Sequence, residues 1–510
     1  MRRRTFVGAG VVAILGGTAA CSGESDTSSG NGASGGTLTL APLVPSQPWD
    51  LKDAGLGNNT QYYQPVYDSL LRLDTKAEPI PNVATKWSYD STGTVLTLTL
   101  RTGITFTDGA ALDASAVKKN LEHTRTGANE AAGQLKGIKD VEVVGADTVK
   151  VTLSAPDPSF VANLGSVAGM LASPQAIDAG TLKDTPVGSG PYTLDKGATT
   201  NGSVYTFVRN EKYWNADEFP FDKIVLKPLA DPTAILNALR SGQVDGALIT
   251  TPKNVDAARS GGLNILRYQP GDVAGVYIWD RDGKISKPLG ELKVRQAINH
   301  AFDRATLIKS VYGGLGEPTA QVFNPISTAY DASLNDTYPY DPAKAKSLLA
   351  EAGYPDGFSV DIPDVGPIFP EAQAAMVQYL GDIGIKCKLV TVPSTELLNQ
   401  LLAGKFAISY FSLASFRSWD TITIQARPDS LWNLFKNSDP ELTALIDSAQ
   451  NSTGDSQNAD FKEINTYLVD QAWNAPWAVV ENSYATSRRV KVTAQAFTPV
   501  PGLYNFTPAG

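Results

Sequence analysis

The stretch Lys293 to Gly314, KVRQAINHAFDRATLIKSVYGG, decides how the chain is read. Val294, Ala297, Ile298, Ala301 and Phe302 recur at helical spacing and place an apolar stripe along one side. Arg295, Gln296, Asn299 and His300 fall on the opposite side. Asp303 stands where a helix N-cap belongs, ahead of a second apolar set at Leu307, Ile308 and Val311. Gly313 and Gly314 stop that second helix. The spacing therefore predicts two helices bent at Asp303, with one side buried against a larger body.

A chain of 510 residues exceeds what a single hydrophobic core serves, so two or three domains are expected. A hydrophobic share of 42% and a charged share of 19% belong to a soluble globular protein. The net charge of −9, with no basic stripe, argues against a nucleic-acid partner. Two cysteines are present, Cys21 and Cys387. Cys387, in the apolar run IKCKLVTV, reads as a small core residue.

The first residues read as an export signal. Arg2, Arg3 and Arg4 precede a short apolar run, Phe6 to Leu15, too short to span a bilayer of about 30 Å. Small residues then lead to Cys21, and Ala19-Ala20-Cys21 resembles a lipobox, with Thr18 where leucine is usual. Arg3-Arg4-Thr5-Phe6-Val7 resembles the twin-arginine motif; an ordinary secretory signal is the alternative. Ser22 to Gly36 is a flexible tether. Loss of residues 1–20 removes three arginines and takes the net charge to −12. Anionic headgroups would then offer no attraction, so anchorage is expected from acyl chains on Cys21, of which stable anchoring needs two.

Along the body, Thr37 to Leu43 reads as a strand, Gln61 to Leu73 as a helix, and Val95 to Leu100 as a strand. A helix capped by Asp113 or Ser115 follows. Ile224 to Pro228, Pro232 to Ser241 and Ala247 to Ile249 form a strand–helix–strand unit, hence a parallel sheet. Gly275 to Trp279 is a strand. A helix after Asp341 runs from Ala343 to Glu351, and another spans Glu371 to Ile383. Strands at Lys386 to Val392 and Phe406 to Phe411 flank a helix at Glu396 to Ala403. Trp473 to Val480 and Tyr484 to Val492 supply late strands.

These motifs together resemble the family 5 extracellular solute-binding proteins, the receptors of ABC importers. Arg295-Gln296-Ala297 with Ala301 and Asp303-Arg304 matches one signature of that family. Ala84, Trp87, Leu100, Arg101, Gly103, Phe106, Asp108, Gly109, Leu112, Ala114 and Val117 match a second. Pro186 to Tyr192 (PVGSGPY), Arg209 to Trp214 (RNEKYW), Ala238 to Asp245 and Tyr340 to Gly357 match others. The resemblance implies an α/β, periplasmic-binding-protein-like fold with two lobes around a cleft. It implies lobe I from residues 37–74, 186–272 and 477–510, an inserted extra domain at 75–185, and lobe II at 273–476. It also implies a monomer that captures a solute, hands it to ABC permease subunits and performs no catalysis.

Ligand contacts are expected where loops leave strand ends at the cleft. Gln47, within Val44 to Trp49, qualifies, as do Tyr277 and Trp279. So does YFSLASFRSWD, with Tyr410, Phe411, Ser415, Phe416, Arg417, Trp419 and Asp420. Period two puts Phe411, Leu413 and Ser415 on one face and Tyr410, Ser412 and Ala414 on the other. For each aromatic the alternative is core packing, and for Arg417 with Asp420 a loop ion pair. Peptide binders of the family place an amine-binding aspartate near Ser415 or Phe416, and Asp420 comes later than that. A short peptide is the leading solute class, and an oligosaccharide, a metal chelate or an organic acid is the alternative. Arg417 could meet an anionic ligand bidentately.

Two histidines, His123 and His300, are too few for a transition-metal site, and each is expected at a surface or a cap. Gly32 to Gly36 matches G-x-S-x-G only by chance, since the tether lacks the strand–turn–helix the motif needs. PVGSGPY runs on into a strand and so does not read as a phosphate loop. No cofactor is implied. The rivals from other classes are an envelope hydrolase using two cleft carboxylates and a chaperone or adhesion module.

Overall fold

The structure, a computed structural model, describes residues 35–509 apart from 47, 367, 394 and 395. Cys21, the export signal and Gln47 lie outside the described residues. The chain forms two lobes. In the first, a seven-stranded sheet has Thr37–Ala41 near its centre, flanked in parallel by Lys223–Leu226 and Gly246–Ile249. The expected strand–helix–strand unit is present, with helix Pro232–Arg240 between the two flanking strands. Strands Tyr192–Leu194 and Tyr205–Arg209 extend one side of the sheet, and Asn482–Thr486 and Asn264–Tyr268 the other. A separate four-stranded sheet, built from Ala84–Tyr89, Val95–Leu100, Thr148–Leu153 and Ile138–Gly145, lies within residues 75–185. Its Leu96, Leu98 and Val149 join Leu38, Leu40 and Phe207 in one continuous core.

Gln61 to Leu73 does not form the expected helix. Only Thr60–Tyr63 is helical, and Leu71–Leu73 is a strand. The carbonyls of Pro65 and Val66 accept from the N–H groups of Tyr192 (2.8 Å) and Gly190 (3.1 Å), so they cannot serve a helix. This pairing explains PVGSGPY, because a Cβ on Gly188 would lie 1.9 Å from the Val66 carbonyl oxygen. It also delivers Asp68 to the interior. The Asp68 carboxylate accepts from Tyr213 Oη (2.8 Å), Ser189 Oγ (2.9 Å) and Trp214 Nε1 (3.2 Å). Burial pushes its pKa up to about 6 against the pull of these three donors. Two family motifs are thus the donor shell of one buried carboxylate.

The second lobe has a four-stranded antiparallel sheet ordered Gly316–Pro318, Ala475–Val480, Asp272–Ile278 and Ile408–Ala414. A parallel pair, Phe358–Pro363 with Ile385–Val390, lies beside it. Helices Leu292–His300 and Arg304–Tyr312 match the predicted pair, with Asp303 capping the second through the Thr306 N–H (3.0 Å) and Gly313 closing it. The apolar stripe is buried as expected. The opposite side is not a solvent face, however. Arg295, Asn299 and His300 are buried too.

The chemistry of that second face is carbonyl capping. Arg304 donates from Nε to the carbonyls of Thr319 (2.9 Å) and Pro476 (3.0 Å), and from Nη1 to those of Asn299 (3.2 Å) and Tyr338 (2.9 Å). Arg295 reaches the carbonyls of Gln471, Leu289 and Gly290. Asn299 donates to Asn474 O (3.0 Å), and His300 Nδ1 lies 2.8 Å from Pro339 O. These side chains donate to carbonyls of a strand, a helix end and several loops, which is why a polar face can be buried. Burial pulls the Arg304 pKa down to about 10, still charged at neutral pH.

Replacing Arg304 strands carbonyls from several segments. Arg304→Ala is predicted to cost about 3–5 kcal/mol. Arg304→Lys should recover less than half of that, since one ammonium cannot reproduce a planar fork. Urea denaturation checks both, read as a lower midpoint at an unchanged slope.

Candidate functional site

The chain crosses between the lobes twice, at Gln269 to Gly271 and at Glu481. The second crossing comes four residues later than expected, because Ala475–Val480 stays in the second lobe's sheet. In the first lobe both crossings occur where Ile249 pairs with Ser483 and Tyr268 with Asn482, the carboxyl end of Gly246–Ile249. The loops after Thr37–Ala41, Lys223–Leu226 and Gly246–Ile249 therefore emerge on the side of the second lobe, where open α/β sheets hold ligands. In the second lobe the crossings meet the start of Asp272–Ile278 and the end of Ile408–Ala414, paired through Asp272 and Ala414. Residues 415–420 leave from that edge, toward the first lobe.

The first-lobe wall is built by tyrosine hydroxyls. Tyr62, Tyr63 and Tyr67 donate to the carbonyls of Val44 (2.8 Å), Pro48 (3.2 Å) and Trp49 (2.9 Å). They fasten Val44, Pro48 and Trp49 to helix Thr60–Tyr63 and the residues that follow it. Trp49 itself is buried, edge-on to Tyr63, Tyr205 and Phe207. Asp50 beyond it meets His123 Nε2 at 2.6 Å.

On the second wall, Ser415 is fully used by the protein. Its N–H donates to Gly271 O (2.7 Å), and its Oγ accepts from Asn324 N (3.3 Å). Gly271 lies at φ +113°, and a Cβ there would come 2.4 Å from the Ser415 carbonyl oxygen. Arg417 stands at the N-cap position of helix Ser418–Gln425 without capping it through its side chain, and meets Asp420 at 3.2 Å, with its Nε unbonded among the described residues. Phe416 is part-buried and Trp419 buried.

The structure thus brings Ser415, Phe416, Arg417, Trp419 and Asp420 to the edge facing the first lobe. Trp279 sits seven residues from Asp272, about 23 Å along the strand. It is buried, stacked on Tyr277 at 5.2 Å, and donates to Ser409 Oγ (2.9 Å). Tyr277 is buried with its hydroxyl on Val273 O (2.9 Å), and Tyr410 is buried against Trp477. The two-faced reading of the strand holds, with Leu413 and Phe411 against Trp279 and Tyr410 in the opposite core. Phe411 lies 4.9 Å from Trp432, between ring centroids.

The two lobes also touch through a segment that sequence reasoning missed. Gln450 Nε2 of the second lobe donates to Pro156 O of the turn after Thr148–Leu153 (2.9 Å). The neighbouring Asp157 carboxylate faces the Trp419 indole, Asp420 and Tyr89. Burial, with the Asp420 charge adding to it, pushes Asp157 up to about 6. Only Pro-Asp-Pro marked this turn in the sequence, and nothing there pointed to its partner. Among the described residues no cluster suited to a metal ion occurs, and no helix is long and apolar enough to cross a membrane.

Two lobes joined by two crossings, with facing loop edges, define a cleft-type binding protein. The model of the bacterial extracellular solute-binding proteins, family 5, matches residues 78–433, and the chain belongs to that family. It is 33% identical over 349 residues to the glutathione-binding protein GsiB of Salmonella paratyphi A, covering 65% of this chain. That match spans 64% of the relative's length. Among solved structures, the DppA periplasmic binding protein of Helicobacter pylori with peptide STSA superimposes with a TM-score of 0.76 at 21% identity, covering 93% of this chain and 98% of that one. NikA of Brucella suis with Fe(III)-EDTA gives 0.80 at 22%, covering 93% and 100%. The same fold therefore holds a peptide in one case and a metal chelate in another.

Where separation of the lobes returns Asp157 to water, closure is predicted to depend on pH. Its pKa is raised where it faces Trp419 and Asp420, so the contact holds the proton more tightly than water would. Closure should strengthen as pH falls through about 6 toward the ordinary 3.8 and weaken as pH rises. Small-angle scattering on solute-free protein should show compaction over that window, with a closed-to-open ratio changing about tenfold. Asp157→Asn should be compact at both ends.

Proposed function

We propose that the protein is an extracytoplasmic receptor that captures a solute between its lobes and passes it, chemically unchanged, to an ABC importer. The observation that carries this reading is the pair of facing loop edges joined by two chain crossings, which allows a rigid-body hinge. Membership of the solute-binding family supports it. A short peptide is the leading solute class, supported by the glutathione-binding relative and the peptide-bound neighbour. An oligosaccharide, a metal chelate or an organic acid is the second reading, supported by the chelate-bound neighbour on the same fold. Residues 75–185 act as an inserted domain whose Pro156–Asp157 turn completes the closed rim.

In this reading residues 1–20 direct export, by the twin-arginine route where Arg3 and Arg4 are read as its motif. Cys21 carries the lipid, and the protein works as a monomer at the outer face of the cytoplasmic membrane. The tether from Ser22 gives the lobes reach to the permease subunits.

Two experiments test this. A thermal-shift screen of di- to hexapeptides, sugars, organic acids and metal chelates should raise the melting temperature for one class by mass action, and the bound solute should be recovered intact and stoichiometrically. Turnover of the solute would favour a hydrolase. Cys21→Ser should move most of the protein from the membrane fraction to the soluble fraction while leaving the thermal shift unchanged, and retention on the membrane would contradict the lipid anchor.

A further inference from the structure

Near the end of the chain, Val500, Leu503 and Phe506 fill the first core. The backbone beside them does something else. Tyr268 closes strand Asn264–Tyr268 immediately before the crossing at Gln269, and Asn482 opens strand Asn482–Thr486 immediately after Glu481. The two are Cα partners. The Pro499 carbonyl accepts from both side chains, from Tyr268 Oη and from Asn482 Nδ2 (3.2 Å). A carbonyl oxygen has two lone pairs, so Pro499 alone can serve the residues flanking both crossings.

The same segment is fastened on either side of Pro499. Upstream, Gln495 Nε2 donates to Asp74 O and the Ala496 N–H to Thr75 O (3.0 Å), where the chain leaves for residues 75–185. Downstream, Pro501 O accepts from the buried Gln61 Nε2 (2.8 Å), and the Leu503 N–H donates to Gln64 Oε1 (2.7 Å). Gln61 belongs to helix Thr60–Tyr63, whose tyrosines hold Val44 and Pro48. Pro499 also packs on Gly57, where a Cβ would lie 3.3 Å from the proline Cγ. Between the Thr75 and Pro499 fastenings, Phe497 adopts φ +56°, a left-handed conformation that a bulky residue takes only under constraint. Irregular chain held at three places, with a strained residue among them, is costly to order. Its position at the crossings supplies the reason.

We infer that Gln495 to Leu503 is a clasp that positions the hinge between the lobes. Pro499 holds Tyr268 and Asn482 together at the edge of the first lobe, so bending is confined to Gln269 to Gly271 and Glu481. The bonds to Gln61 and Gln64 make the first-lobe wall move with that edge as one body. Tyr268, Asn482 and Pro499 are thus positioning residues for capture, acting through the hinge. The inference rests on the receptor reading and adds to it the device that sets where the lobes turn.

The test reads the hinge itself. Spin labels at the exposed Ser91 and Asn451, one on each lobe, in a Cys387→Ser background, report the inter-lobe distance. In solute-free protein, Tyr268→Phe combined with Asn482→Ala should broaden the distance distribution about twofold or more over the parent. Arg489→Ala is the control. It removes an ion pair to Asp245, at the opposite end of Gly246–Ile249 from the crossings, and should keep the parental width whatever its melting temperature. If the double variant does not fold, Tyr268→Phe alone gives the reading, with an intermediate width expected. A parental width in the folded variants, or equal broadening in Arg489→Ala, overturns the clasp and leaves the receptor reading standing. A parent whose distance ignores both removal and return of its co-purified solute contradicts the receptor reading, and the clasp with it.

Discussion

Everything functional here depends on the chain passing between two cores only twice, within a few residues of the same place. Gln269 to Gly271 carries it into the second lobe, and Glu481 carries it back. Both passages continue strands that are fully paired within their lobes. Arg267 adds a charge-assisted bond to Glu481 and donates to Gly314 O at 3.0 Å, tying the two passages together. Each lobe keeps its own core. Relative movement therefore needs dihedral change at only a handful of residues, Gly271 among them, and breaks no sheet.

The remaining architecture positions loops around that axis. Tyrosine hydroxyls shape the first-lobe wall, and arginines buried under the second lobe fix the turns that carry its strands. The two lobes solve the burial of polar groups in opposite ways. The first surrounds a buried acid, Asp68, with neutral donors. The second inserts Arg281, Arg295 and Arg304 among backbone carbonyls, and burial lowers the pKa of all three. Such networks tolerate little loosening, because each unsatisfied group costs the full desolvation penalty.

Local signals were legible in the sequence. The helix pair around Asp303, the cap at Asp341, the strand–helix–strand unit and the alternating faces of Ile408–Ala414 follow from periodicity and caps, and the structure reproduces them. What could not be read is what depends on distant partners. Gln61 to Leu73 has helical spacing, but its carbonyls are claimed by Gly190 and Tyr192, more than a hundred residues later. Arg295 and Asn299 look like a solvent face, since nothing local announces the carbonyls they meet. Tyr277 and Trp279 have the composition of a binding wall, yet register places Trp279 at the far end of its strand.

The most direct test of the hinge account is a pulsed spin-label distance across the rim. Labels at Ser91 and Asn451, both exposed and adjoining the Pro156–Gln450 contact, would be placed in a Cys387→Ser background. Protein stripped of solute by unfolding and refolding should show two distance populations. Adding back the solute fraction released in stripping should collapse them into the shorter one. A single distance, unchanged by stripping and by the returned solute, would contradict the claim that these lobes move about their two crossings to enclose a ligand.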